Sequence, residues 1–189
     1  MIEKPMLFTG PMVRAILDGR KTQTRRVVKP QPVDGDEITS AYRDWQMGRL
    51  RDSENAFRPI KCPHPIGSRI WVKETFRVLY DPATCLEGAL DIDYRADGKQ
   101  RLMDKIGKSK WKSPRFMPRW ASRTTLEVIG VNVERLQDIS EKDAYDEGIG
   151  HLPGISGKEL YGQLWDSING KKHPWVVNPW VWVYTFRKL

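Results

Sequence analysis

The sequence predicts an α+β domain: a small barrel or curved mixed sheet flanked by a few short helices and interrupted by long loops. Three observations predict it. Strand-like stretches are joined mainly by loops. Helical periodicity is confined to a few short places. The alternating strand–helix series of a doubly wound fold is absent. The 189 residues suffice for a single domain with a sizeable core.

Taken in order, Met6-Leu7-Phe8-Thr9 reads as a short strand. Gly10-Pro11 opens a helix with proline in its first turn. Met12, Val13, Ile16 and Leu17 give that helix one apolar stripe, and Gly19 is its stop. Gly19-Arg20-Lys21-Thr22-Gln23-Thr24-Arg25-Arg26 then packs one lysine, two threonines and three arginines into eight residues. Such a cluster is a solvated basic helix end, or it surrounds an anion, or it lowers a lysine pKa. The stretch from Arg25 to Val28 is extended and closes at Lys29-Pro30-Gln31-Pro32. From Val33 to Pro65 periodicity is poor, and Trp45 and Phe57 lie among charges; this reads as a long loop.

Ile70 to Tyr80 reads as one strand, β-branched and aromatic throughout. Ile70, Val72, Glu74 and Phe76 share one face; Trp71, Lys73 and Thr75 share the other. Glu74 is a buried, functional carboxylate if the first face is core, and a surface charge if the register is reversed. Leu90 to Arg95 reads as a strand and Asp97-Gly98 as a turn. Lys99 to Arg119 is a basic tract that holds Lys110, Lys112, Arg115 and Arg119, with Trp111, Phe116 and Trp120 interleaved. Charge and aromatics together suit single-strand binding, or the aromatics anchor a solvated loop. Arg123 to Leu136 is a strand with a bulge or bend at Gly130. Ser140 caps a short helix that stops at Gly148. Gly157 to Ile168 is a second helix whose Leu160, Leu164, Trp165 and Ile168 form a core stripe. Trp175 to Phe186 closes the chain as a strand, kinked near Asn178-Pro179.

The net charge is +8 and the pI near 9.5. With eight tryptophans, this favours RNA, another single-stranded nucleic acid or a modified nucleoside as partner, because cations hold phosphate and aromatic faces stack bases. The competing use of the tryptophans is the core. Mean hydropathy is −0.59, no apolar run reaches membrane-span length, and the first residues lack a leader's apolar stretch, so a cytoplasmic protein is expected. Two isolated cysteines, Cys62 and Cys85, suit a reducing compartment. Cys62-Pro63-His64 has no second ligand pair at metal spacing, His151 and His173 stand singly, and no glycine-rich phosphate cradle is present. No metal or cofactor is expected.

Several stretches together resemble the ASCH family, a branch of the PUA-like barrels, and its phage and prophage members in particular. They are the Gly19 to Arg26 motif after its helix, Gly67 to Phe76, Met117 to Arg123, the Ser140 to Gly148 helix and Asn178 to Val183. Against the smallest family members, 31–65 and 82–115 look like insertions. The resemblance implies a barrel with a cleft facing RNA or a nucleoside. It also implies an amidohydrolase that removes the acyl group of N4-acetylcytidine with a lysine, a threonine and a glutamate. These fall on Lys21, Thr24 and, by motif, Glu147, with Glu74 as the other candidate carboxylate. Other family members are proposed as RNA binders or ribonucleases.

The chemistry is coherent with these residue types. Thr24 would be the nucleophile and needs an adjacent base. Lys21 serves if neutral; its ordinary pKa is about 10.4, and burial beside Arg20, Arg25 and Arg26 lowers it. Helical i, i+3 spacing would bring Lys21 and Thr24 to one side. Glu147 would protonate the leaving amine or orient water, and Arg26 or backbone N–H groups of the loop would hold the oxyanion. Left protonated, the same cations would clamp phosphate while Trp71, Trp111 or Trp120 stacked a base, giving a non-catalytic RNA-binding module. Stabilisation of a phosphorane-like transition state would give a ribonuclease.

Overall fold

Seven strands and three helices appear in a computed structural model that describes residues 2–31, 62–79, 91–98 and 110–189. The expected insertions therefore lie mostly outside the described residues. So do Trp45, Phe57, Cys85 and the basic tract before Lys110. The strands are β1 (Glu3–Leu7), β2 (Gln23–Val27), β3 (Arg69–Lys73), β4 (Phe76–Leu79), β5 (Asp91–Tyr94), β6 (Thr125–Arg135) and β7 (Trp180–Lys188). The helices are α1 (Gly10–Leu17), α2 (Glu141–Asp146) and α3 (Gly157–Asn169).

Five strands form one mixed sheet in the order β1-β3-β6-β7-β2. Only β1 and β3 run parallel; the other pairs are antiparallel. Pro5 lies in β1, an edge strand, where a missing N–H does least harm. The sheet curls until its edges nearly meet: Arg26 of β2 donates through a terminal nitrogen to the carbonyl of Leu7 at the end of β1, 2.9 Å away. The domain is thus α+β, a small mixed barrel closed across its seam by a side chain. Gly130 marks a shift of register between β6 and β7, as its place in the strand predicts.

Strand alternation divides the core. Trp182, Tyr184 and Phe186 of β7 point into the barrel with Met6, Ile70, Val72, Leu126 and α1's Val13 and Ile16. Val181 and Val183 point outward, onto Leu136, Ala144, Tyr161 and Trp165 beneath α2 and α3. The pleat of β2 follows the same rule. Thr24 pairs with Tyr184 and Arg26 with Trp182, on the barrel side; Arg25 pairs with Val183, on the helix side.

Several expected boundaries are corrected. The run Ile70 to Tyr80 is two strands, because the ladder is interrupted at Glu74, whose N–H points to the Met117 sulfur at 3.4 Å. Beyond it, β4 pairs with β5 in a separate two-stranded sheet, and its Phe76 also bridges Lys112. The last strand begins at Trp180; Trp175–Val177 form a 3-10 turn ended by Asn178 at φ 49°. The buried face of α3 is Gly157, Tyr161, Gly162 and Trp165; of the expected stripe Trp165 is buried and Leu164 packs against the core, whereas Ile168 is exposed. Among the described residues no helix is long and apolar enough to cross a membrane.

His64 packs edge-on against Tyr184, with ring centroids 5.4 Å apart, and its buried Nδ1 has no partner among the described residues. Burial, reinforced by Lys4 and Arg26, pulls its pKa from 6.5 to about 4. The fold keeps the imidazole neutral while the unfolded chain takes up a proton. Stability is therefore complete above pH 6.5 and lost as pH falls towards about 4. The loss at pH 4 should be about 2–3 kcal/mol. Denaturant titrations should show wild type weakening more steeply than His64→Phe across that window; parallel curves would refute the assignment.

Candidate active site

The turn after α1 is tied down by its own backbone. Gly19, at φ 75°, lets the N–H groups of Arg20 and Lys21 both reach the carbonyl of Ala15, at 2.9 and 3.0 Å. The Thr22 N–H then donates to the carbonyl of Asp146 at the end of α2, and its carbonyl accepts from Phe186 of β7. The stretch is not helical between Lys21 and Thr24: Lys21 precedes β2 and Thr24 lies within it. Helical spacing therefore does not bring the two together, and the Thr24 hydroxyl accepts instead from Arg26, at 2.8 Å.

Lys21 is wholly buried at its side chain and ends on Glu147. Its Nζ donates to the Glu147 carboxylate at 2.5 Å and to the Glu147 main-chain carbonyl at 2.8 Å. Glu147 caps the C-terminus of α2, where free carbonyls and the helix dipole favour a cation. Gly148 makes the approach possible. It sits at φ 85°, and a Cβ there would lie 2.8 Å from both Ala15 Cβ and Lys21 Cβ. Burial drives the Lys21 pKa down, against the attraction of Glu147.

Arg25 completes the cluster. Its guanidinium, with no exposed surface, donates to Glu134 at 2.7 and 3.0 Å and to Glu147 at 3.3 Å. Asp143 lies 3.8 Å from it. Burial opposes the charge, but Glu147 and Glu134 outweigh it and hold the pKa above its usual value. The Tyr161 hydroxyl donates to Glu147 at 3.3 Å, and burial with that neighbouring carboxylate pushes the phenol well up. Tyr161 therefore stays protonated as a donor.

This cluster borders a cleft of about 660 Å³, a size suited to a small organic ligand. Arg25, Arg26, Glu147 and Tyr161 supply the polar lining on the side of this cluster, with Arg14 and Arg95 elsewhere on the wall; Phe8, Met12, Leu164, Trp165 and Ile168 are among its apolar residues. Lys21 and Thr24 each sit one side chain behind that lining, bonded to Glu147 and Arg26 respectively.

The remaining sequence candidates lie elsewhere. Glu74 is buried, as one of the two registers of β3 requires, but it meets Arg123 at 2.9 Å, and Arg123 also binds Asp97 at 2.7 Å. Burial pushes the Glu74 carboxyl up against the pull of Arg123. Trp71 lies on the opposite face of β3 under Lys73. Arg20 is exposed beside Asp18. Lys110, Lys112, Arg115 and Trp120 are exposed, and Arg119 pairs with Glu3. Of the described part of that tract only Pro114 reaches the cleft. Among the described residues no group of three or more His, Cys, Asp or Glu side chains is placed to hold a metal.

Sequence reasoning missed Tyr161 and Glu134. A signal existed for each. Tyr161 precedes Trp165 by one helical turn, and Glu134 is an acid of β6 paired with Val181, on the side of the sheet that faces α2 and α3.

No protein family matches this chain, and no curated protein does. Two solved structures are similar to it in fold. The hypothetical protein PH0355 aligns with a TM-score of 0.44 and 11% identity over 100% of both chains. An ASCH domain from Lactobacillus crispatus aligns with a TM-score of 0.43 and 12% identity, over 99% of this chain and 79% of that one. Likeness at this level leaves the activity of the chain to be argued from its own residues.

Proposed function

We propose that the cleft takes a modified nucleoside and that Lys21, Thr24 and Glu147 hydrolyse an acylamide on its base, as in N4-acetylcytidine. One observation carries this reading: a buried lysine–glutamate pair stands directly behind a cleft of nucleoside size. Passage of one proton along the Lys21–Glu147 hydrogen bond converts the ion pair into a neutral amine and a neutral carboxyl. Burial lowers the Lys21 pKa and so favours the neutral amine. A base and an acid are then in place together.

The substrate's carbonyl oxygen draws the Arg26 guanidinium away from the Thr24 hydroxyl. Thr24 Oγ1 attacks the carbonyl carbon and passes its proton to Lys21. Glu147 gives its proton to the departing exocyclic amine, and the C–N bond breaks. Water then hydrolyses the threonyl ester, releasing acetate and restoring the hydroxyl.

Chromatography should detect cytidine from N4-acetylcytidine with wild type, and a rate at least about 100-fold lower with Glu147→Gln. A wild-type protein that binds cytidine but releases none would overturn the proposal. It would favour a second reading, a nucleoside- or RNA-binding module. One observation supports that alternative: Thr24 and Lys21 are each bonded to another side chain rather than to one another.

A further inference from the structure

We propose that the cleft also holds a phosphate of its ligand, on Arg14 and Arg95, so that its substrate is a nucleotide unit and not a free nucleoside. The inference rests on the nucleoside reading of the same cleft. Arg14 comes from α1, and Arg95 opens the 3-10 turn that follows β5; both line the cleft. The two elements are packed on one another: a Cβ on Gly10 would lie 3.8 Å from Ala96 Cα, and Arg14 donates to the Ala96 carbonyl at 2.9 Å.

The two side chains thereby arise from adjoining elements, Arg14 anchored on the Ala96 carbonyl and Arg95 exposed beside it in sequence. Among the described residues neither has a carboxylate partner. The acid nearest in sequence to Arg95, Asp97, is engaged twice by Arg123. The other cleft arginines are differently occupied: Arg25 on carboxylates, Arg26 on the Leu7 carbonyl and the Thr24 hydroxyl. Two guanidiniums lining one cleft, neither on a carboxylate among the described residues, suit a dianionic or diester phosphate, whose oxygens accept their forked donors.

The phosphate belongs either to a free mononucleotide or to a strand. Beyond Pro114, on the rim, Arg115 is exposed and would meet a strand's next phosphate.

Titration calorimetry with cytidine, cytidine 5′-monophosphate and a cytidine-containing RNA trinucleotide tests this on the full chain. Wild type should bind the monophosphate at least about tenfold tighter than cytidine at low salt, with the gap narrowing as salt rises. Arg95→Gln, whose native side chain makes no hydrogen bond among the described residues, should narrow the gap; the Arg14→Gln/Arg95→Gln pair should close it. Tighter trinucleotide binding assigns the phosphate to a strand, and equal binding assigns it to a free nucleotide. Equal affinity for cytidine and its monophosphate in wild type, or a gap untouched in the double variant, overturns the phosphate site. A retained gap without deacetylation sinks the amidohydrolase and spares the phosphate site; deacetylation without a gap does the reverse.

Discussion

A Lys21→Met protein is expected to lose deacetylation and to be about 3–5 kcal/mol less stable at pH 7, because removing one member of a buried ion pair strands the other. The ammonium has no exposed surface and makes two hydrogen bonds to Glu147, one of them to the carbonyl that ends α2. Methionine fills much the same volume but donates to neither. Glu147 would keep only the longer contacts from Arg25 and Tyr161. The Lys21→Met/Glu147→Leu pair removes both charges and should recover part of the stability but none of the activity. Urea titration separates the two effects. A Lys21→Met chain as stable as wild type would mean that Glu147 does not depend on the lysine for its charge.

Arg25→Leu should be at least as damaging, by about 3–5 kcal/mol, and the variant is expected to accumulate poorly. Among the described residues Arg25 is the one cation in contact with Glu134, Asp143 and Glu147 together. Without it three carboxylates converge around a leucine. Arg25→Lys should not restore the fold, since a single ammonium cannot reproduce the fork that meets Glu134 through two nitrogens and Glu147 through a third. Adding Glu134→Gln to Arg25→Leu should regain stability by removing one of the opposed charges. Thermal melts of the single and double variants measure this, and no difference between them would show that Glu134 is not coupled to Arg25.

The strands and helices were legible because local rules dictate them. Gly19 and Gly148 stop helices at positive φ, Ser140 caps α2 through its hydroxyl, and Gly130 sits at the register shift. The charge cluster after α1 was legible as a cluster. Its internal geometry was not, because it depends on where α2 and β6 return in space. Lys21 meets Glu147 from 126 positions away, and Arg25 meets Glu134 from 109. Neither spacing leaves a trace in local periodicity. Glu74 shows the same limit. Alternation predicts that it is buried on the face it shares with Ile70 and Val72, but only the fold reveals Arg123 as its partner.

Arg26 both closes the barrel seam and lines the cleft. These are competing claims on one guanidinium. The edges of β1 and β2 meet through it alone among the described contacts between them, whereas every other adjacency in the five-stranded sheet is a backbone ladder. A ligand oxygen that recruits Arg26 therefore loosens the sheet at the place where it has no ladder to fall back on. Occupancy of the cleft and breathing of the barrel become one equilibrium, and amide exchange along β1 would report on a ligand that never touches most of that strand.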